Sequence, residues 1–100
     1  MKIKQFYNKN QFIITDTKKF VFQSYDSTIA VVEGQKLTLG KDWDYSITTL
    51  KHLYKFMYEY AYHIDTLTDC IYHMIMFSGN KRKEIQRLID DGTINYDESL

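Results

Sequence analysis

The sequence predicts a single α+β domain over residues 1–100, in which an antiparallel sheet is followed by helices. Two observations predict it. Between residues 11 and 39, short runs of β-branched and aromatic residues alternate with polar turns, as in strands joined by hairpins. From residue 46 to about residue 77, apolar residues instead recur at steps of three or four, which is the spacing of one helix face.

The sheet is predicted to be a four-stranded antiparallel meander, because its connections are too short for parallel crossovers. Its four strands are Gln11–Thr15, Lys19–Tyr25, Ile29–Val32 and Lys36–Leu39. Gly34 is suited to a tight turn that needs a positive φ. The core is predicted to include Phe20, Phe22, Leu37 and Leu39. Whether residues 93–96 add a short edge strand is left open.

A long helix is predicted over residues 46–77, with Ser46 as its N-cap. Its apolar stripe consists of Leu50, Tyr54, Met57, Ala61, Ile64, Ile71 and Ile75, interrupted only by Thr68. A helix of roughly 30 residues extends about 45 Å, whereas a short strand spans about 20 Å. The far end of the stripe would therefore need another cover, either the third helix or a second copy of the chain. Whether the helix is broken near residue 64 is left open.

Alternating aromatic residues between Tyr54 and Tyr62 also fit a strand, but the stripe persists over many turns and favours the helix. A short C-terminal helix is predicted over residues 80–91. Asn80 is its candidate N-cap, and Gly92 occupies the position of a left-handed C-cap.

Composition excludes several classes of protein. Thirteen basic and thirteen acidic residues give a net charge of zero, which argues against a strongly basic nucleic-acid binder and an acidic DNA mimic. One cysteine excludes an internal disulfide framework. We find neither an apolar stretch long enough for a membrane span nor a signal-peptide core, so we expect a cytoplasmic protein.

No catalytic or metal motif emerges. His63, Cys70 and His73 are ligand types on one predicted helix, but residues 63 and 70 are about 10 Å apart along its axis. Cys70 and His73 offer a thiol and a base without an orienting carboxylate. We therefore expect no enzymatic activity, no metal and no cofactor.

Two basic segments keep nucleic-acid binding open as an alternative. Residues 1–20 carry five lysines against Asp16, and Lys81-Arg82-Lys83 is followed by Arg87. Tyr and Phe side chains on strands could stack on bases.

The candidate partner-binding surface is the exposed side of the long helix. Tyr58 and Tyr62 border the apolar stripe, and tyrosine is enriched at protein interfaces. Lys51 and Lys55 lie on the same segment. Packing at the edge of the core is the competing interpretation of the two tyrosines.

Two short motifs carry a family resemblance. Phe22-Gln23-Ser24-Tyr25 precedes Ile29-Ala30, and Trp43-Asp44-Tyr45-Ser46 continues into Thr48-Thr49. Over about residues 11–57 this pattern resembles a small domain of unknown function from phages and mobile elements of low-GC Gram-positive bacteria. The family brings no established activity, so no catalytic residue is implied. Residues 60–77 look like an insertion relative to shorter members.

The resemblance implies a phage protein acting in the cytoplasm of a bacterial host. The absence of catalytic motifs favours a non-enzymatic inhibitor that binds a bacterial defence protein, in its sharpest form an anti-CRISPR protein that blocks a Cas nuclease. A small nucleic-acid-binding or regulatory phage protein is the alternative. A homodimer formed through the long helix is also left open.

Overall fold

A computed structural model describes residues 2–76 and 80–100. Six strands form one sheet in the order of the sequence. The strands are β1 (Lys2–Phe6), β2 (Asn8–Asp16), β3 (Lys19–Ser24), β4 (Ser27–Glu33), β5 (Lys36–Leu39) and β6 (Asn95–Tyr96). Strands β1 to β5 are an antiparallel meander, whereas β6 pairs parallel to β5. The predicted meander and the optional last strand are confirmed.

The prediction of only four strands is wrong, because β1 was missed and β2 begins three residues earlier than Gln11. Strand β1 reads Lys-Ile-Lys-Gln-Phe, and only Phe6 at its end is buried. An edge strand needs little apolar surface, and its lysines discourage pairing with other chains. A polar segment of this kind lacks the alternating pattern that identifies a strand.

The helices cover one face of the sheet. Helix α1 spans Ile47–Phe56 and continues into a π-helical turn, Met57–Ala61. Helix α2 spans Thr68–Met76 and helix α3 spans Lys81–Asp90. The single helix predicted over residues 46–77 is therefore wrong, and the break left open near residue 64 is correct. Its predicted end at Phe77 lies outside the described residues.

The apolar stripe folds back on itself instead of extending past the sheet. Met57, Ala61, Ile64 and Ile71 are at most 1% exposed, as predicted, but Leu50 and Tyr54 lie at the edge of the core. The fully buried residues that the stripe missed are Leu53, Phe56 and Leu67. The long rod whose far end would need another cover does not form, because the turn at residues 62–67 brings these side chains into one core, to which Ile85 and Leu88 of α3 also belong.

Several local predictions are confirmed. The Ser46 hydroxyl accepts a hydrogen bond from the Thr49 amide at 3.0 Å, and Asn80 Oδ1 accepts one from the Lys83 amide at 3.1 Å. Gly34 and Gly92 have φ values of +61° and +85°. No helix among the described residues has the length and apolar character needed to cross a bilayer.

Candidate interaction site

A groove lined by tyrosines lies where α1, the π-helical turn, α2 and the start of α3 meet the β1–β2 turn. Its volume is about 400 Å³. We call it the tyrosine groove; its lining residues are Tyr7, Tyr54, Lys55, Tyr58, Glu59, Tyr62, Tyr72, Met76 and Lys81. Five aromatic rings and one thioether thus surround a space that carries two lysines and one acid.

Tyr7 reaches the groove because the chain turns sharply between β1 and β2. Its φ of +64° lies in the left-handed region, which a non-glycine residue rarely occupies and which costs of order 1 kcal/mol. Its hydroxyl donates to Glu59 Oε2 at 3.2 Å, and Lys55 Nζ lies 4.4 Å from the centre of its ring. Partial burial of the hydroxyl and the charge of Glu59 raise the pKa of Tyr7. The turn therefore holds one wall of the groove in place.

Lysines lie over tyrosine rings at two further points. Lys81 Nζ is 4.5 Å from the ring centre of Tyr54, inside the groove. Outside it, Lys4 Nζ is 5.9 Å from the ring of Tyr60, and a hydrogen bond to the Tyr60 hydroxyl raises the pKa of Lys4. Such cation–π contacts are worth about 0.5–1 kcal/mol at exposed sites. They hold the charged groups against the aromatic surface.

Three of the four predicted partner-binding residues line this groove. Tyr58 and Tyr62 have ring centres 5.4 Å apart, and Lys55 lies beside them. Tyr58 is 53% exposed, whereas Tyr62 is half-buried against the core. Lys51 is exposed but does not line the groove. The structure thus joins three predicted residues in one surface and separates the fourth.

Sequence reasoning missed Tyr7, Tyr72 and Lys81 as groove residues. Tyr7 is separated from the helices by the whole meander, so no spacing in the sequence relates it to Tyr58. Tyr72 and Lys81 belong to helices that reach the groove only because the chain folds back after residue 61. The high tyrosine content was the one available signal, and it does not say which of the nine rings converge.

The histidine and cysteine candidates are dispersed. His63 Nε2 lies 2.7 Å from the Gly34 carbonyl oxygen, which joins the turn after the π-helical segment to the β4–β5 hairpin. Cys70 Sγ donates to the Thr66 carbonyl oxygen at 3.8 Å within its own helix. Within residues 2–76 and 80–100, no three His, Cys, Asp or Glu side chains are grouped so that they could hold a metal ion.

The second basic segment is partly neutralised by ion pairs. Arg82 Nη2 lies 2.7 Å from Asp44 Oδ2, and Arg87 pairs with Glu84 at 3.1 Å and with Asp91 at 3.5 Å. The guanidinium groups are therefore held by acids of the same chain. This leaves Lys81 and Lys83 as the residues of the segment that are outside these pairs.

The two motifs that carry the resemblance meet in space. Ser24 Oγ lies 3.4 Å from Thr49 Oγ1, and the Ser46 hydroxyl donates to Thr49 Oγ1 at 3.1 Å. These hydroxyls lie at a second, polar groove of about 680 Å³, which Tyr25 and Tyr45 also line. Tyr25 has a φ of +54°. The motifs thus join the end of β3 to the start of α1.

Comparison with protein families identifies a match to a family model that covers residues 1–70. The chain belongs to DUF8033, a family of unknown function. The prediction that the chain belongs to a family of unknown function is thereby confirmed. The DUF8033 match ends within α2, so three groove residues, Tyr72, Met76 and Lys81, lie beyond it. Comparison with curated proteins and with solved structures finds no significant match.

Proposed function

We propose that this protein is a non-enzymatic binding protein that contacts another protein through the tyrosine groove. The observation that carries the proposal is the exposure of tyrosine rings around the groove: Tyr7 is 61%, Tyr58 is 53% and Tyr72 is 48% exposed. Tyrosine offers a large contact area with few rotatable bonds and is enriched among residues that dominate binding energy. Lys55 lies over the ring of Tyr7 and Lys81 over the ring of Tyr54, and both add positive charge to the groove.

In its specific form, the proposal is a phage-encoded inhibitor that acts in the cytoplasm of a bacterial host. Its partner is a bacterial defence protein, and most concretely a Cas nuclease, which would make this an anti-CRISPR protein. The support is the resemblance of residues 11–57 to a phage domain and the small size of the chain. An inhibitor that acts by occupying a surface needs neither a cofactor nor a catalytic residue.

The test is a DNA-cleavage assay with guide-loaded Cas nucleases from the host. Inhibition should saturate at one inhibitor per nuclease. The double substitution Tyr58→Ala and Tyr62→Ala should weaken inhibition about a hundredfold, since two central tyrosines contribute about 3 kcal/mol together. The matched control is Tyr25→Ala with Tyr45→Ala, two exposed tyrosines of the polar groove, which should inhibit like the wild type.

Two outcomes would overturn this proposal. If no nuclease is inhibited, the anti-CRISPR form fails. If inhibition survives the Tyr58 and Tyr62 substitutions while circular dichroism shows a native fold, the groove is not the contact surface.

A second candidate function is binding of single-stranded nucleic acid in the same groove. The observation that favours it is the placement of Lys55 and Lys81 over tyrosine rings, since aromatic stacking platforms with cations bind single strands. Affinity for a labelled oligonucleotide should then fall steeply as the salt concentration rises. Failure of RNA and DNA oligonucleotides to bind at low salt removes this candidate.

A further inference from the structure

The face of the sheet turned away from the helices carries apolar side chains. The register places Ile3, Ile14, Val21 and Val31 directly opposite one another on four neighbouring strands. Ile3 is 61% exposed and the other three are half-buried. An antiparallel sheet with one face in water normally has polar residues at such positions. We call this side, with its central apolar row, the outer face.

Strand β2 shows the same departure from alternation. Ile13 is buried beneath the helices, while Phe12 and Ile14 on either side of it point to the outer face. Strands that are apolar on both faces are typical of sheets covered on both sides. The outer face is therefore built like a surface that is buried in an assembly.

A row of charges lies beside the apolar row. Cross-strand pairing aligns Asp16 with Lys19, Lys19 with Glu33, and Glu33 with Lys36. All four side chains are exposed. Among the described residues, the ion pairs within 4 Å lie elsewhere, on α3 and in the loop before α1. The signs alternate along the row, acid, base, acid, base, and they sum to zero.

We propose that the outer face packs against the outer face of a second copy of this chain, around a two-fold axis that runs parallel to the strands between β3 and β4. This rotation places β3 opposite β4 of the second copy and β2 opposite its β5. Each row of side chains then faces the same row of the second copy. Lys19 then faces Glu33 of the partner subunit, and Asp16 faces Lys36 of the partner subunit. Because the row holds four charges of alternating sign, reversing its order on the partner subunit places every charge opposite one of the other sign.

The same axis aligns the apolar row. Val21 faces Val31 of the partner subunit near the centre, and the less apolar outer strands face each other toward the rim. Because every contact occurs twice, the interface is self-complementary, as a two-fold dimer requires. Sheets that pack face to face in this way are common in proteins.

The size of the face predicts a weak dimer. Strands β1 to β5, which are four to nine residues long and about 4.8 Å apart, together with the two residues of β6, offer an outer face of about 500 Å². Two such faces bury about 1,000 Å² in total, which is at the lower limit for a specific interface. We therefore expect reversible association in the micromolar range.

A base-stacking surface is disfavoured on this face. The described outer-face positions of β1 to β5 carry one aromatic ring, that of Phe12, and as many acids as bases. Sheets that bind RNA present several aromatic rings for stacking. A copy of the chain, which has no net charge, is not repelled by this surface.

The experiment is sedimentation velocity of the full chain from low micromolar to millimolar concentration. The wild type should shift from monomer to dimer across this range. Val21→Lys should remain monomeric, because it places a charge in the centre of the apolar row. Thr66→Lys introduces the same charge in the exposed turn before α2 and should dimerise like the wild type.

Charge reversal tests the axis without touching the apolar row. Lys19→Glu should weaken the dimer about tenfold, because the change places two like-charged pairs across the interface. Adding Glu33→Lys should restore the affinity, because opposite charges face each other again. Both positions are exposed, and like charges on neighbouring strands of one chain destabilise the fold only modestly, so these variants should fold even if Val21→Lys does not.

A monomeric wild type at all concentrations overturns the proposal. A dimer that resists Val21→Lys in a folded protein, or one that the second charge reversal fails to restore, overturns it as well. The Tyr58→Ala and Tyr62→Ala variant should dimerise normally, because the tyrosine groove lies on the helical side. Failure of the dimer and failure of the proposed function are thereby distinguishable.

Discussion

Replacing Ser46 by alanine should destabilise the fold more than the loss of an ordinary helix cap. The Ser46 hydroxyl accepts a hydrogen bond from the Thr49 amide and donates one to Thr49 Oγ1 at 3.1 Å. Thr49 is 1% exposed, and its remaining hydroxyl contact is Ser24 Oγ at 3.4 Å. Ser46→Ala therefore removes a cap and also deprives a buried hydroxyl of its nearer partner.

The magnitude follows from these two losses. Removal of an N-cap side chain costs about 1 kcal/mol, and a buried hydroxyl that loses a hydrogen-bond partner costs about 1 kcal/mol more. The free energy of unfolding should fall by about 2 kcal/mol. For a domain of 100 residues this lowers the melting temperature by about 10 °C.

The matched control is the cap of α3. Asn80 is exposed and accepts a hydrogen bond from the Lys83 amide, so Asn80→Ala should cost about 1 kcal/mol. Ser46→Asp should stay close to the wild type, because a carboxylate accepts from both the amide and the hydroxyl of Thr49. Urea unfolding followed by circular dichroism measures all three variants. If Ser46→Ala costs no more than Asn80→Ala, the hydrogen bond between the Ser46 and Thr49 hydroxyls does not stabilise the fold.

Three further predictions concern the groove and the core. Glu59→Gln should lower the pKa of Tyr7, because it removes the neighbouring negative charge; NMR of labelled tyrosine rings measures this pKa. Because the pKa of Tyr7 is raised in the folded protein, the stability linked to its proton is fully present below the pKa of an unfolded tyrosine and is lost as the pH rises through the folded value. An unchanged pKa would contradict this. Gly40→Ala should cost about 2 kcal/mol in urea unfolding, because its Cβ would lie 2.5 Å from the Thr28 carbonyl oxygen; a neutral effect would show that the strands separate easily. Phe56→Ala should cost about 3–5 kcal/mol in thermal unfolding, since the ring is fully buried, and a cost below 1 kcal/mol would contradict its place in the core.

Local features were predictable wherever a few neighbouring residues determine the conformation. The hairpin at Gly34 and the caps at Ser46 and Asn80 depend on side chains within four positions, and all three are present in the structure. The meander followed from the shortness of its connections. Strand β1 was not predictable in this way, because its pairing with β2 and not its own composition makes it a strand.

The candidate site was predicted in part. Tyr58, Tyr62 and Lys55 share one helical segment, so their proximity could be inferred from spacing. Tyr7 could not be predicted as a groove residue, because its position depends on the turn after β1 and on the hydrogen bond from its hydroxyl to Glu59. Lys51 was assigned to the same surface on spacing alone, and it lies outside the groove although it precedes Lys55 by one turn of α1.

Periodicity and local hydrogen bonds were enough to predict the meander of β2 to β5, the helical character of the second half and the helix caps, because each depends on residues close together in the chain. The position of the break in the long stripe depends on packing against the sheet, since the sheet can cover a helix of limited length and the remaining apolar residues are buried only if the chain turns back. That turn creates the tyrosine groove, and the packing of all three helices on one side leaves the outer face open.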